Sequence, residues 1–232
     1  MSQTRFVIDP DNPGEVLACA GLAWLAERRE PGCATGFRQS PKEWIFETPF
    51  AAEEIQQWLH QEPELTEDRL CVGDVVLDWW NWGWGLNPAF KFWAGQQTAL
   101  SVFSNLLKAA REGDVRNWLE FEARITGRLG VDPLGTWDGL SLGWSINEHT
   151  DIQILCRPFV ELFAFLGLQV FPVQGDRSEG FRYHLWHPAP LTLAWLAYAN
   201  AGRHAGPGWL ALTGKAGSNI YLKQATPFRS EA

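Results

Sequence analysis

The chain has 232 residues, of which 46% are hydrophobic and 13% aromatic, enough to bury a sizeable core in one domain. Its 19 basic and 27 acidic residues give a formal net charge of −8, which argues against a freestanding, nonspecific nucleic-acid binder, because phosphate contacts need a basic surface. No run of about 18 apolar residues occurs and the first ten residues do not resemble a signal peptide, so we expect a cytoplasmic protein without a membrane span.

The first half of the chain alternates strand-like and helical patterns. Turn and capping residues at positions 9–14 precede an almost entirely apolar stretch, which predicts a buried rather than an amphipathic helix. The predicted elements are, in chain order, a strand at 5–9, this helix at 15–29, a strand at 44–46, a helix at 51–60 and a strand at 70–80.

The second half begins with two helical patterns, at 96–111 and 114–129, which Gly113 separates into a predicted helical hairpin. The later predicted elements are a strand at 140–146, an all-apolar helix opened by Arg157-Pro158, strands at 169–173 and 181–186, a helix at 191–201, and a closing hairpin of 209–213 with 220–224. These patterns predict an α+β fold, a single compact mixed domain over residues 1–232 with interleaved strands and buried helices. A division into two lobes near 130–140 stays open.

The two buried helices share a sequence pattern. The first has Asn12-Pro13 followed by Gly21, and the second has Arg157-Pro158 followed by Gly167. The spacing differs by one residue. We therefore interpret the similarity as a property of two buried helices rather than as a duplicated half.

Five of the chain's 14 tryptophans fall within residues 77–100. Such a cluster is either a core that needs large rings or a platform for flat partners such as bases and sugars. The candidates for stacking on a base or wedging into a duplex are Trp79, Trp80, Trp82 and Trp84.

Catalytic and metal-binding patterns are incomplete in this sequence. It has no G-x-S-x-G elbow, no H-E-x-x-H and no G-x-G-x-x-G after a strand, and residues 214–218 resemble a hairpin turn more than a phosphate loop. The four cysteines are scattered, which favours reduced thiols, and His184 and His187 lack further ligands at zinc spacing. We expect no enzyme activity, no cofactor and no metal.

Three segments in the same order carry a family resemblance: IDPDNPGEVLACAGLAWLAER, LDWW followed by FKFWAGQQ, and RPFVELFAFLGLQ. Together they resemble the small large-subunit family of the type I-U (also called I-G) CRISPR Cascade interference complexes. The resemblance implies a noncatalytic subunit of a crRNA-guided surveillance complex that recognises the protospacer-adjacent motif and helps open target DNA. It further implies partners: a backbone subunit, a guide-processing subunit, target double-stranded DNA and a helicase-nuclease recruited on target binding.

Polar residues near these segments are candidates for nucleic-acid contact. Asn12 stands where a helix N-terminus could bind phosphate, Lys91 could meet a phosphate, and amide side chains could pair with base edges. The full set is Asn12, Lys91, Gln96, Gln97, Asn147, Arg157, Lys215, Asn219 and Lys223. The alternative roles are a helix cap for Asn12, a polar first turn for the two glutamines and solvated surface for the others.

A second function stays open at this point. A carbohydrate-binding or small-ligand-binding module built on the tryptophan window would bind without RNA partners. A hydrolase is the least favoured alternative, since it would need a pocket with perturbed carboxylates or a Cys–His pair.

Overall fold

Helices and antiparallel strands are interleaved in the computed structural model, which describes residues 4–81, 90–93, 97–125, 127–134, 155–171, 173–192, 207–216 and 219–228. The mixed α+β fold predicted from the sequence is confirmed. The helices are α1 (Pro13–Arg29), α2 (Ala52–Trp58), α3 (Ala99–Ala110) and α4 (Pro158–Val170). Short 3-10 helices lie at Trp79–Asn81 and Val115–Asn117.

The strands of the described ranges pair in four antiparallel sheets. In chain order they are β1 (Thr4–Ile8), β2 (Ala34–Gln39), β3 (Trp44–Thr48), β4 (Pro63–Thr66), β5 (Arg69–Val72), β6 (Val75–Leu77), β7 (Gln174–Asp176), β8 (Gly180–His184), β9 (Ala189–Pro190), β10 (Gly208–Ala211), β11 (Thr213–Ala216), β12 (Asn219–Leu222) and β13 (Thr226–Phe228). The strand orders are β1-β3-β2-β9, β13-β10-β8-β7, β4-β5-β6 and β11-β12.

The two predicted buried helices, α1 and α4, are confirmed. Pro13 and Pro158 each lie in the first helical turn, where the missing backbone N–H would have no partner within the helix. Arg28 and Arg29 lie in the last turn of α1, where their positive charges interact favourably with the helix dipole. Both helices are apolar on nearly all sides because both are surrounded by protein. Among the described residues, no helix is both long and apolar enough to cross a membrane.

The helices α1 and α4 cross in contact at the glycines of their shared pattern. A Cβ atom on Gly21 would lie 2.1 Å from the carbonyl oxygen of Phe163, and one on Gly167 would lie 2.0 Å from that of Leu17. Neither position has room for any side chain. The glycines therefore allow the two backbones to approach more closely than ordinary helices do.

The predicted helical hairpin is wrong in its second helix. Residues 114–125 form the 3-10 turn and then an extended segment bridged at Ala123 to Cys156. The chain cannot remain helical to residue 129, because Gly127 has a φ of +85°. Ala123 also exchanges two backbone hydrogen bonds with Cys156, at 2.9 and 3.0 Å, so its N–H and C=O groups are not available to a helix.

Two predicted strands also differ from the structure. The segment 169–173 begins within α4, which runs to Val170 because its last residues stay packed on the core. The closing hairpin forms between β11 and β12, so residues 214–216 belong to a strand rather than to the turn. Strand β10 pairs instead with β8 and β13. The predicted strand at 140–146 and most of the predicted helix at 191–201 lie outside the described residues.

Candidate nucleic-acid interface

Arg157, a predicted nucleic-acid contact, is instead buried at the N-terminus of α4. Its side chain is 6% exposed. The guanidinium donates to both carboxylate oxygens of Asp132, at 2.7 and 2.6 Å, and to Glu15 of α1 at 2.8 Å. The bidentate pairing with Asp132 and the bond to Glu15 provide hydrogen-bond partners and charge compensation for the buried guanidinium and for both carboxylates.

Asn12 belongs to the same buried network. Its side-chain oxygen accepts from the N–H of Glu15 at 3.2 Å, which makes it the cap of α1, and its amide donates to Asp132 at 2.9 Å. Glu161 completes the network by accepting from the backbone N–H groups of residues 130–132. The prediction that Asn12 and Arg157 contact nucleic acid is therefore wrong for this structure, since protein groups bury and occupy both side chains.

Burial perturbs the two glutamates of this network. Desolvation raises the pKa of Glu15 above its ordinary value, and this outweighs the nearby Arg157 guanidinium, which lowers it. Desolvation also raises the pKa of Glu161, although the backbone N–H groups that bond to it act in the opposite direction. Glu15 and Glu161 thus bind protons more tightly in the folded chain than in the unfolded chain.

The raised pKa of Glu15 predicts a particular pH dependence for the variant Glu15→Gln. The ordinary pKa of a glutamate carboxyl group is 4.5. When folding raises this pKa, the carboxyl group contributes its full stabilisation below pH 4.5. The contribution is lost as the pH rises through the folded-state pKa. The stability advantage of the wild type over Glu15→Gln should therefore fall as the pH rises above 4.5, as measured by urea denaturation at a series of pH values.

The matched control is Glu53→Gln at an exposed site. Bonds to its own backbone and to Arg116 lower the pKa of Glu53, so its contribution is present above the ordinary value and is lost as the pH falls. The two variants should therefore show pH dependences of opposite sign. Equal slopes would contradict the assignment for Glu15.

The described tryptophans of the window form part of the core. Trp79 is fully buried, and its indole N–H donates to the carbonyl of Phe165 in α4 at 3.1 Å. Trp93 is also buried and stacks on the ring of Phe165, while Trp80 is half-buried against the same ring. The wedge role predicted for Trp79 is wrong, because its ring has no access to a partner. Trp82 and Trp84 lie outside the described residues.

Lys91 is exposed beside this aromatic core. Its ammonium group lies 5.8 Å from the centre of the Trp93 ring, and its carbonyl accepts from Arg177 at 2.9 Å. The preceding Phe90 packs on Phe181 of β8 with ring centres 4.2 Å apart. Aromatic packing thus fixes residue 91 next to the β7–β8 hairpin.

Arg177 occupies the turn of that hairpin. Asp176 holds the turn by accepting from the backbone N–H groups of Ser178 and Glu179. The Arg177 guanidinium lies 5.6 Å from the centre of the Phe92 ring. The backbone carbonyl of Arg177 accepts a hydrogen bond from the hydroxyl of Thr213 at 2.7 Å. The turn is therefore anchored both to the segment of Lys91 and to the start of β11.

A third exposed cation, Lys223, follows β12. Its backbone N–H donates to the carbonyl of Leu212, the residue before Thr213, at 2.8 Å. Hydrogen bonds to backbone carbonyls thus link Lys91 to Arg177 directly and link Arg177 to Lys223 through residues 212–213. We call Lys91, Arg177 and Lys223 the basic edge. In the neighbouring hairpin, Lys215 pairs with Ile220 and Asn219 pairs with Ala216.

Gln97, another predicted contact, is not part of the basic edge. Gln97 is half-buried, with its side-chain amide against Gly127. Gln96 and Asn147 lie outside the described residues. Arg177 was missed from the sequence because a lone arginine in a polar turn carries no motif, and its proximity to Lys91 follows only from tertiary contacts.

The described residues show no group of three or more His, Cys, Asp or Glu side chains placed to hold a metal ion. All four cysteines are free, three of them buried and Cys71 half-buried. Comparisons with protein-family models, with curated proteins and with solved structures found no match to this chain.

Proposed function

We propose that the chain is the noncatalytic large subunit of a type I CRISPR crRNA-guided surveillance complex, of the small type I-U (I-G) kind. In this role it recognises the protospacer-adjacent motif and helps open the target DNA, while guide pairing reads the remaining sequence. Its partners would be the backbone subunit, the guide-processing subunit and the recruited helicase-nuclease. The proposal starts from the three sequence segments that resemble that family.

The basic edge is the structural observation that supports this proposal. It places three exposed cations from distant parts of the chain on a protein whose formal net charge is −8. Such a small patch suits contact with a short stretch of phosphate backbone, whereas the acidic remainder disfavours binding along DNA. The isolated chain should therefore bind DNA weakly and act within an assembly.

The proposal is tested by co-expressing the chain with candidate backbone and guide-processing subunits and a CRISPR array. Affinity purification should yield a ribonucleoprotein that contains the chain, and a gel shift should depend on the adjacent motif. The expected result is that omission of this chain abolishes target binding but leaves the guide-bearing particle intact. A chain that purifies alone, without RNA or partners, would contradict the proposal.

Single substitutions test the basic edge within that complex. Lys91→Ala and Arg177→Ala should each weaken DNA binding about fivefold and reduce the slope of log affinity against log salt by about 1, because each removes one phosphate contact. Lys42→Ala, an exposed lysine of the β2–β3 turn, is the matched control and should change neither quantity. Equal effects of all three variants would show that general charge, not this edge, is responsible.

A further inference from the structure

A small polar pocket lies between the C-terminal end of α1, helix α2 and the β5–β6 turn. Its volume is about 290 Å³, at the lower end for small-molecule sites and sufficient for one planar heterocycle. It shares no residue with the basic edge or with the buried network at the helix N-termini.

The floor of the pocket is apolar and aromatic. Leu25 and Phe50 are buried, and the half-buried indole of Trp58 forms part of the wall. An indole beside two apolar side chains provides a surface on which a flat ring can stack, whatever its substituents.

The charged groups of the pocket compensate one another. Arg28 donates to the carboxylate of Asp74 at 2.8 Å, and Arg29 donates to Glu54. Two guanidinium groups and two carboxylates leave the pocket without net charge. A neutral polar ligand therefore fits it better than a free phosphate, which would have to displace a carboxylate.

Hydrogen-bonding capacity remains in these pairs. Among the described contacts, Arg29 uses only one nitrogen, Nη1, and the bonds to Glu54 are made by Oε2. Arg29 Nε and Nη2 and Glu54 Oε1 thus place donors beside an acceptor. The exposed amides of Gln57 and Gln61 add groups of both kinds at the rim.

We propose that this pocket binds a single nucleobase, with guanine as the preferred base. Guanine presents the acceptor O6 next to the donors N1–H and N2–H₂, which matches an arginine donor beside a carboxylate. Trp58 supplies the stacking surface. The base belongs either to a free nucleoside or to an unpaired nucleotide of a strand, and the chemistry of recognition is the same. The site does not depend on the proposed function.

Isothermal titration calorimetry of the full-length chain tests this site. Guanosine should bind with a Kd of about 1 mM or lower, and adenosine, cytidine and uridine should each have a Kd at least about tenfold higher. A second arm uses an oligo-dT strand with and without one central dG. Preference for the dG strand identifies a base within a strand as ligand, and binding of guanosine alone identifies a free nucleoside; either result supports the pocket.

Variants locate the binding. Arg29→Gln should weaken guanosine binding about tenfold, and Trp58→Leu should weaken every nucleoside that binds. Arg116→Gln is the matched control, since Arg116 is also exposed and paired with a glutamate, Glu53, but lies outside the pocket. The proposal is overturned if neither guanosine nor the dG strand binds the folded wild type preferentially, or if Arg116→Gln weakens binding as much as Arg29→Gln does.

Discussion

Replacing Gly21 by alanine should lower the free energy of unfolding by about 4 kcal/mol or more, a loss that leaves little folded protein. The new methyl group would lie 2.1 Å from the Phe163 carbonyl oxygen and 3.0 Å from the Gly167 nitrogen. Both atoms belong to the backbone of α4, so no side-chain rotation relieves the clash. The helices would have to separate along their whole buried contact. Circular dichroism during urea denaturation measures the loss.

The control for this prediction is Gly32→Ala, just after α1. A Cβ atom there meets nothing within 4 Å, and only the φ of +82° opposes the substitution. The expected cost is about 1–2 kcal/mol, the ordinary penalty of a left-handed conformation. If Gly21→Ala destabilised the chain no more than Gly32→Ala, the close crossing of α1 and α4 would be refuted.

Arg157→Met should destabilise the fold by about 3–5 kcal/mol, although methionine fills a similar volume and suits a buried site. The substitution leaves the carboxylates of Glu15 and Asp132 buried without the cation that bonds to both. Removing one partner of a buried ion pair costs more than removing the whole pair, because the remaining charge cannot regain water. Urea denaturation at neutral pH measures the effect.

Two comparisons make this second prediction specific. Arg116→Met removes an exposed arginine that also pairs with two carboxylates, and it should leave the denaturation midpoint nearly unchanged. Adding Asp132→Asn to Arg157→Met should recover part of the lost stability, since one uncompensated charge is then gone. A midpoint for Arg157→Met equal to that of Arg116→Met would contradict a stabilising role for the network.

The network also has a consequence for the basic edge. The network fixes the start of α4. In the same helix, the carbonyl of Phe165 accepts a hydrogen bond from the Trp79 indole, and the Phe165 ring stacks on the ring of Trp93. Trp93 follows Lys91 by two residues. The position of the basic edge thus depends on a helix whose polar end is buried, although none of the network residues reaches the surface edge.

Local patterns predicted much of the secondary structure correctly. The capped apolar stretches that became α1 and α4, the spacing that became α3 and the alternation that became β8 were all recognisable. The secondary-structure predictions were wrong where the hydrophobic pattern was short or interrupted. The segment 114–129 has helical spacing at Val115 and Trp118, yet a left-handed glycine at 127 and the backbone bonds between Ala123 and Cys156 keep it from forming a helix.

The sequence by itself determined the mixed α+β class, the two buried helices and the presence of a tryptophan-rich segment, because capping, hydrophobic periodicity and ring size act over a few neighbouring residues. Only the tertiary structure decided which polar residues are accessible. Arg157 and Glu15 meet across 142 positions of sequence, and Arg177 and Lys91 meet across 86. Contacts over such separations depend on how the elements pack, so the same residue types became a buried network at one place and an exposed basic edge at another.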